Sequence, residues 1–211
     1  MRPPPICLLL VYLHTISQLM KRTLLILSLL LCSLICGAQE ATTPLTFKGL
    51  PVEGNYQSFA QKLIQKGFKQ IGATEEGIVL SGTFMTYSET MVIVCPASNS
   101  DIVSLIIATI DAGNKWADIE NRYHNVVSVY KEKYGDPFRF IEDFSGADLS
   151  LDFLKLHALQ EGTCRYRSEW HLNGGTIAVY LQYLNGSYYV GCAYEDELYD
   201  KAMKKAMIDD I

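Results

Sequence analysis

Residues 163–194 read TCRYRSEWHLNGGTIAVYLQYLNGSYYVGCAY, and the reading of this stretch decides the fold. Three runs rich in β-branched and aromatic residues are separated by Asn173-Gly174 and Asn185-Gly186, and Asn-Gly between such runs is the strongest short-range hairpin signal. Taking each pair as a two-residue turn sets the register. Leu172 then faces Gly175, and Leu184 faces Ser187. Counting back, Tyr166 faces Leu181, which faces Val190, and Cys164 faces Tyr183, which faces Tyr188. Side chains alternate across a strand, so one face collects Tyr166, Trp170, Ile177, Val179, Leu181, Val190 and Cys192. A sheet side this apolar must pack on helices.

The same register puts Arg165 beside Gln182 and Tyr189, Arg167 beside Tyr180 and Gly191, Glu169 beside Ala178 and Ala193, and His171 beside Thr176. Arginine and tyrosine are the residue types that carry binding energy at interfaces. The candidate binding face is therefore Arg165, Arg167, Tyr180, Gln182, Tyr189 and His171. Such cross-strand pairs also stabilise a half-exposed sheet with no partner at all.

Outward from this meander the pattern turns helical. A helix is expected from about Ser150 to Gln160, and another from about Asp196 to Met207, with Glu195, Asp196 and Glu197 at its start and Lys201, Lys204 and Lys205 later, as the helix dipole favours. Upstream, Tyr56, Phe59, Ala60, Leu63, Ile64 and Phe68 recur at helical spacing, with Asn55 placed to cap and Gly67 to end the helix. A strand in Leu45–Val52 precedes it. Three strands follow at Ile78–Met85, Thr90–Cys95 and Ile102–Ile110, and then a helix with Trp116, Ile119, Tyr123, Val127, Tyr130 and Tyr134 along one stripe. Gly135 stops it and Pro137 forbids its continuation. The expectation is an α+β fold of two successive helix, three-stranded antiparallel meander, helix units. They cover residues 39–135 and 149–211, with 136–148 as linker, and a structural duplication is the hypothesis this order suggests. The first three strands are apolar on both faces, which predicts a second cover, supplied by the other half or by another copy of the chain.

Met20 is followed by Lys21 and Arg22, an apolar run from Thr23 to Ile35 and Cys36-Gly37-Ala38, the layout of an export signal cleaved after Ala38. Translation is read as starting at Met20, with residues 1–38 as the signal region. The expected location is periplasmic or secreted, with membrane contact only through that transient signal. The whole chain has 18 basic and 23 acidic residues. Losing Arg2, Lys21 and Arg22 leaves 15 and 23, a net charge of −8, which argues against nucleic acid or an anionic membrane as partner. Cys95, Cys164 and Cys192 remain after cleavage, so at most one internal disulfide could form. The register separates Cys164 from Cys192 too far for it.

No cofactor or metal is implied. His124, His157 and His171 are scattered, and no CxxC, HExxH or GxxxxGK[ST] spacing occurs. Cys164 and His171 fall on opposite faces of one strand, so a thiol nucleophile could not reach that base. Asp148 and Asp152, four apart at a helix start, with His157 nearby, offer the one carboxylate cluster for hydrolysis. Acids in a first turn also serve the free amides and the dipole.

Phe47-Lys48-Gly49-Leu50-Pro51-Val52, the helix ending Lys66-Gly67-Phe68 and the helix ending Lys133-Tyr134-Gly135-Asp136-Pro137 together resemble uncharacterised secreted α+β proteins of Gram-negative bacteria. In architecture alone the chain is similar to the tandem-repeat β-lactamase inhibitor proteins. It is also similar to small outer-membrane assembly lipoproteins, though Ile35 before Cys36 and Leu31 before Cys32 do not fit lipid attachment. These resemblances imply a fold and no site residue. The functional expectation is a non-enzymatic module that binds another protein or an envelope component, with a hydrolase of envelope or dietary polymers as the alternative.

Overall fold

The computed structural model describes residues 44–145 and 150–197, together with Lys204, Met207 and Ile208. The signal region, Asp148 and most of the predicted last helix lie outside the described residues; Lys204, Met207 and Ile208 are helical. The elements in chain order are β1 (Thr46–Phe47), β2 (Leu50–Pro51), α1 (Tyr56–Gln65), β3 (Lys69–Thr74), β4 (Gly77–Phe84), β5 (Tyr87–Pro96) and β6 (Val103–Asp111). They continue with α2 (Trp116–Tyr134), β7 (Arg139–Asp143), α3 (Asp152–Gln160), β8 (Arg165–Leu172), β9 (Gly175–Leu184) and β10 (Ser187–Asp196).

Local chemistry accounts for the boundaries. Asn55 caps α1, its Oδ1 accepting from the Ser58 amide at 3.0 Å. Gly67 (φ 98°) and Gly135 (φ 81°) supply the left-handed residues after α1 and α2. At the β9–β10 turn Asn185 (φ 50°) and Gly186 (φ 87°) are both left-handed, the geometry Asn-Gly favours. Lys48 and Met85, at the tips of the β1–β2 and β4–β5 turns, are left-handed without being glycine (φ 53° each), a conformation that costs roughly 1–2 kcal/mol per residue.

Strands β3 to β10 form one antiparallel sheet in the order β3-β4-β5-β6-β10-β9-β8-β7. Close to the turns the register of the second meander is the one the Asn-Gly pairs dictate: Leu172 pairs with Gly175, Arg167 with Tyr180, Tyr180 with Gly191, Gln182 with Tyr189 and Leu181 with Val190; the β8–β9 pairs run from Arg167 to Leu172, short of the expected Tyr166–Leu181 and Cys164–Tyr183 pairings. Gly175 is fixed by crowding as well as by the turn, since a β-carbon there would lie 2.0 Å from the Glu195 carbonyl oxygen.

The units differ from the sequence expectation. Each has four strands, not three, and the two meanders merge into one sheet through β6 and β10, where Ile110 pairs with Val190 and Ile106 with Tyr194. The order reads the same outward from that seam: α1 then β3 to β6, and α2 then β7 to β10, with α3 inserted between β7 and β8. Strand β3 escapes sequence reading because Lys69, Gln70, Gly72 and Thr74 give no apolar alternation and every β3 residue is exposed. Strand β7 lies within the stretch read as linker. Leu45–Val52 is not one strand but a hairpin folded at Lys48-Gly49.

Residues of α1, α2 and α3 share a single core with one face of the sheet: Phe59, Leu63, Trp116, Ile119, Tyr123 and Leu159 with Leu80, Val92, Val94, Ile106, Ile177 and Val190. Burying each large side chain contributes about 1.5–3 kcal/mol. Phe47 staples the hairpin to this core, stacking on Phe84 at 5.0 Å and meeting Tyr194 edge-on at 5.2 Å. Two buried hydroxyl pairs tie α2 to the sheet, Tyr123 Oη with Ser168 Oγ at 2.8 Å and Tyr130 Oη with Tyr194 Oη at 2.6 Å. On the other side of the sheet, Met91, Ile93, Leu105 and Ile107 are only half-buried. The second cover that their composition predicts is not found among the described residues.

A polar sheet face as candidate functional site

The side of the sheet that carries no helix core is built from alternate residues of every strand. Across β7 to β10 it presents Arg139, Arg167, Glu169, Tyr180 and their neighbours. Glu169 is the pivot. Its side chain is 10% exposed, and its two carboxylate oxygens take Arg167 Nε at 2.6 Å and Arg139 Nε at 3.3 Å. The guanidinium groups are 43% and 55% exposed, so one buried acid anchors two half-open cations by their inner edges. Charge-assisted bonds of this kind are the strong ones, and a carboxylate buried without them would be costly.

The Arg167 guanidinium carbon lies 5.5 Å from the centre of the Tyr180 ring. That ring lies against the backbone of Gly191, whose missing β-carbon would sit 2.6 Å from Tyr180 Cζ. Gly191 is thus the notch that lets Tyr180 lie flat, and burial pushes the phenol above its ordinary range. At the sheet's β7 end Arg165 Nη2 donates to Asp143 Oδ2 at 2.5 Å, and that hydrogen bond holds the Asp143 carboxyl below its usual range. Gln182 and Tyr189 are paired and half-buried beside this cluster. His171 is exposed and packs against the Phe138 ring at 4.5 Å.

The six candidate residues therefore share one face. Two residues that organise it stand outside the candidate set: Arg139, whose strand falls in the expected linker, and Glu169, which the register places on this face but without its β7 partner. The signal for β7 was present in Arg139-Phe140-Ile141-Glu142-Asp143, whose register brings Arg139 opposite Glu169. Toward the β4–β6 half the face turns apolar, with Met91, Ile93, Leu105 and Ile107 half-buried.

The chemistry expected to be absent or present elsewhere can be placed too. Cys164 and Cys192 are buried free thiols pushed up to about 12 by desolvation, and Cys95 is half-buried and also raised by desolvation. A thiol so raised is a poor nucleophile. Asp152 opens α3 and His157 lies in its last turn, both exposed and neither lining a described cavity. Among the described residues no group of three or more His, Cys, Asp or Glu is arranged to hold a metal ion, and no helix is long and apolar enough to cross a membrane. In comparisons with protein-family models, curated proteins and solved structures, nothing matches this chain.

Proposed function

We propose that this chain is an exported, non-catalytic binding protein that recognises another protein or an envelope component through the helix-free face of its sheet. One observation carries the reading: Glu169, buried, holds the inner edges of Arg139 and Arg167, leaving two cations and the Tyr180 ring half-open on a rigid sheet. Rigid placement cuts the ordering cost of binding, and arginine beside tyrosine is the composition of interface hot spots. The adjoining Met91, Ile93, Leu105 and Ile107 supply the apolar flank such interfaces use.

The test is capture of a partner from an envelope extract of the host with the purified chain as bait and the Arg167→Ala, Tyr180→Ala variant as control. Arg139 still neutralises Glu169 in that variant, so its melting temperature should fall by no more than about 8 °C. A partner held by the parent chain and lost by the variant supports the reading. Equal capture by both sinks it.

A further inference from the structure

At the opposite end of the molecule from α3, two adjoining cavities of about 290 and 370 Å³ open beside the β1–β2 hairpin, sharing Thr46, Lys133 and Tyr134. Together they fall in the size range of small-molecule sites. The smaller one is walled by Phe84, Met85, Val129, Tyr130 and Tyr194, an aromatic and thioether surface in which the two phenol hydroxyls are bonded to each other. The Tyr130 and Tyr194 phenols are neutral at physiological pH, burial raising them further, and add no negative charge.

The charge of this groove departs from that of the chain. Acids outnumber bases overall, 23 to 18, yet the described residues lining both cavities include Lys48 and Lys133 and no Asp or Glu. Neither lysine has a carboxylate partner among the described residues; Lys133 Nζ stands 4.8 Å from the centre of the Tyr134 ring. Lys48 and Met85, two of the six non-glycine residues with left-handed backbone among the described residues, stand at the turns that form the rim of this groove.

We propose that this groove is a binding site for an amphipathic carboxylate, its apolar body on Phe84, Met85 and Val129 and its head group between Lys48 and Lys133. Met85 provides a wall that adapts to the shape of an acyl chain, as thioether side chains do. His171 lines the larger cavity and also belongs to the candidate face, but Arg139, Arg167, Glu169 and Tyr180 line neither cavity, so either site can fail alone.

Dodecanoate below its micelle concentration is the probe, titrated calorimetrically into the purified protein beside dodecanol and dodecyltrimethylammonium, which have the same chain and a neutral or positive head. Dodecanoate should bind saturably, and the two controls about tenfold more weakly or not at all. The Lys48→Ala, Lys133→Ala variant should keep its circular dichroism and lose about tenfold in dodecanoate affinity, the worth of roughly one charge-assisted contact. Equal affinity for all three head groups, undiminished binding by the double lysine variant, or the lack of a saturable site would each overturn the proposal.

Discussion

The Arg139–Glu169–Arg167 cluster makes an asymmetric prediction for stability. Glu169 is 10% exposed while its partners are 55% and 43% exposed, so only the acid depends on the cluster for its solvation. Arg167→Ala leaves Glu169 neutralised by Arg139, and Arg139→Ala leaves it neutralised by Arg167. Each single change should therefore cost about 1 kcal/mol or less, the range of exposed ion pairs. Removing both arginines strands a buried carboxylate, for which the penalty is about 3 kcal/mol, the low end for breaking a buried pair because some exposure remains. Glu169→Gln frees two arginines that can turn to solvent, at about 1–2 kcal/mol. Equilibrium urea unfolding followed by tryptophan fluorescence reads all four variants, with an unchanged slope showing that the same surface unfolds. The double arginine variant should thus lose more than the sum of the singles by about 1 kcal/mol or more. Simple additivity, or Glu169→Gln as the most damaging change, would refute the reasoning that Glu169 is the anchored partner.

Two further outcomes follow from buried groups. Cys164 and Cys192 are pushed up to about 12, so their thiolate is scarce near neutral pH; Cys95, raised less and half-buried, should be alkylated first by iodoacetamide in native protein at pH 8, and all three together only after unfolding, as mass spectrometry would show. Ser168→Ala leaves the Tyr123 hydroxyl buried without its partner and should cost about 1–3 kcal/mol, whereas adding Tyr123→Phe should recover part of that loss, since neither group is then left unsatisfied. A thermal-melt double-mutant cycle without that recovery would deny the bond any weight.

How much of this was legible in the sequence depends on how local each signal is. Asn173-Gly174 and Asn185-Gly186 fix the register of β8, β9 and β10 within a few residues, and from that the face shared by Arg165, Arg167, Tyr180, Gln182, Tyr189 and His171 follows without knowledge of the rest. The caps at Asn55, Gly67 and Gly135 are equally local. The seam between Ile110 and Val190 is not, because nothing at either strand names its partner 80 residues away. Strands β3 and β7 sit at the two edges of the sheet, where solvent on both sides removes the apolar alternation that betrays a strand. Without β7, Arg139 has no place in the register and Glu169 stands on the face beside Ala178 and Ala193 with no cation opposite it. The groove was illegible for another reason: Lys48, Met85 and Lys133 come from three separate turns and helices that only folding brings together.

The seam also governs how the chain reaches this structure. Within each meander successive strands close short loops, fast events with little entropy to overcome, whereas pairing β6 with β10 closes a loop that spans α2 and the whole second meander. Loop closure therefore predicts that the two meanders form early and that pairing Ala108 with Cys192 comes late. Substitutions at the seam should accordingly hasten unfolding and leave the folding rate nearly untouched, the reverse of substitutions in the Asn-Gly turns. If the seam closes last, the edges of β6 and β10 are open to those of another copy until then, and refolding at high concentration should favour exchanged halves, which size-exclusion chromatography would read as dimer.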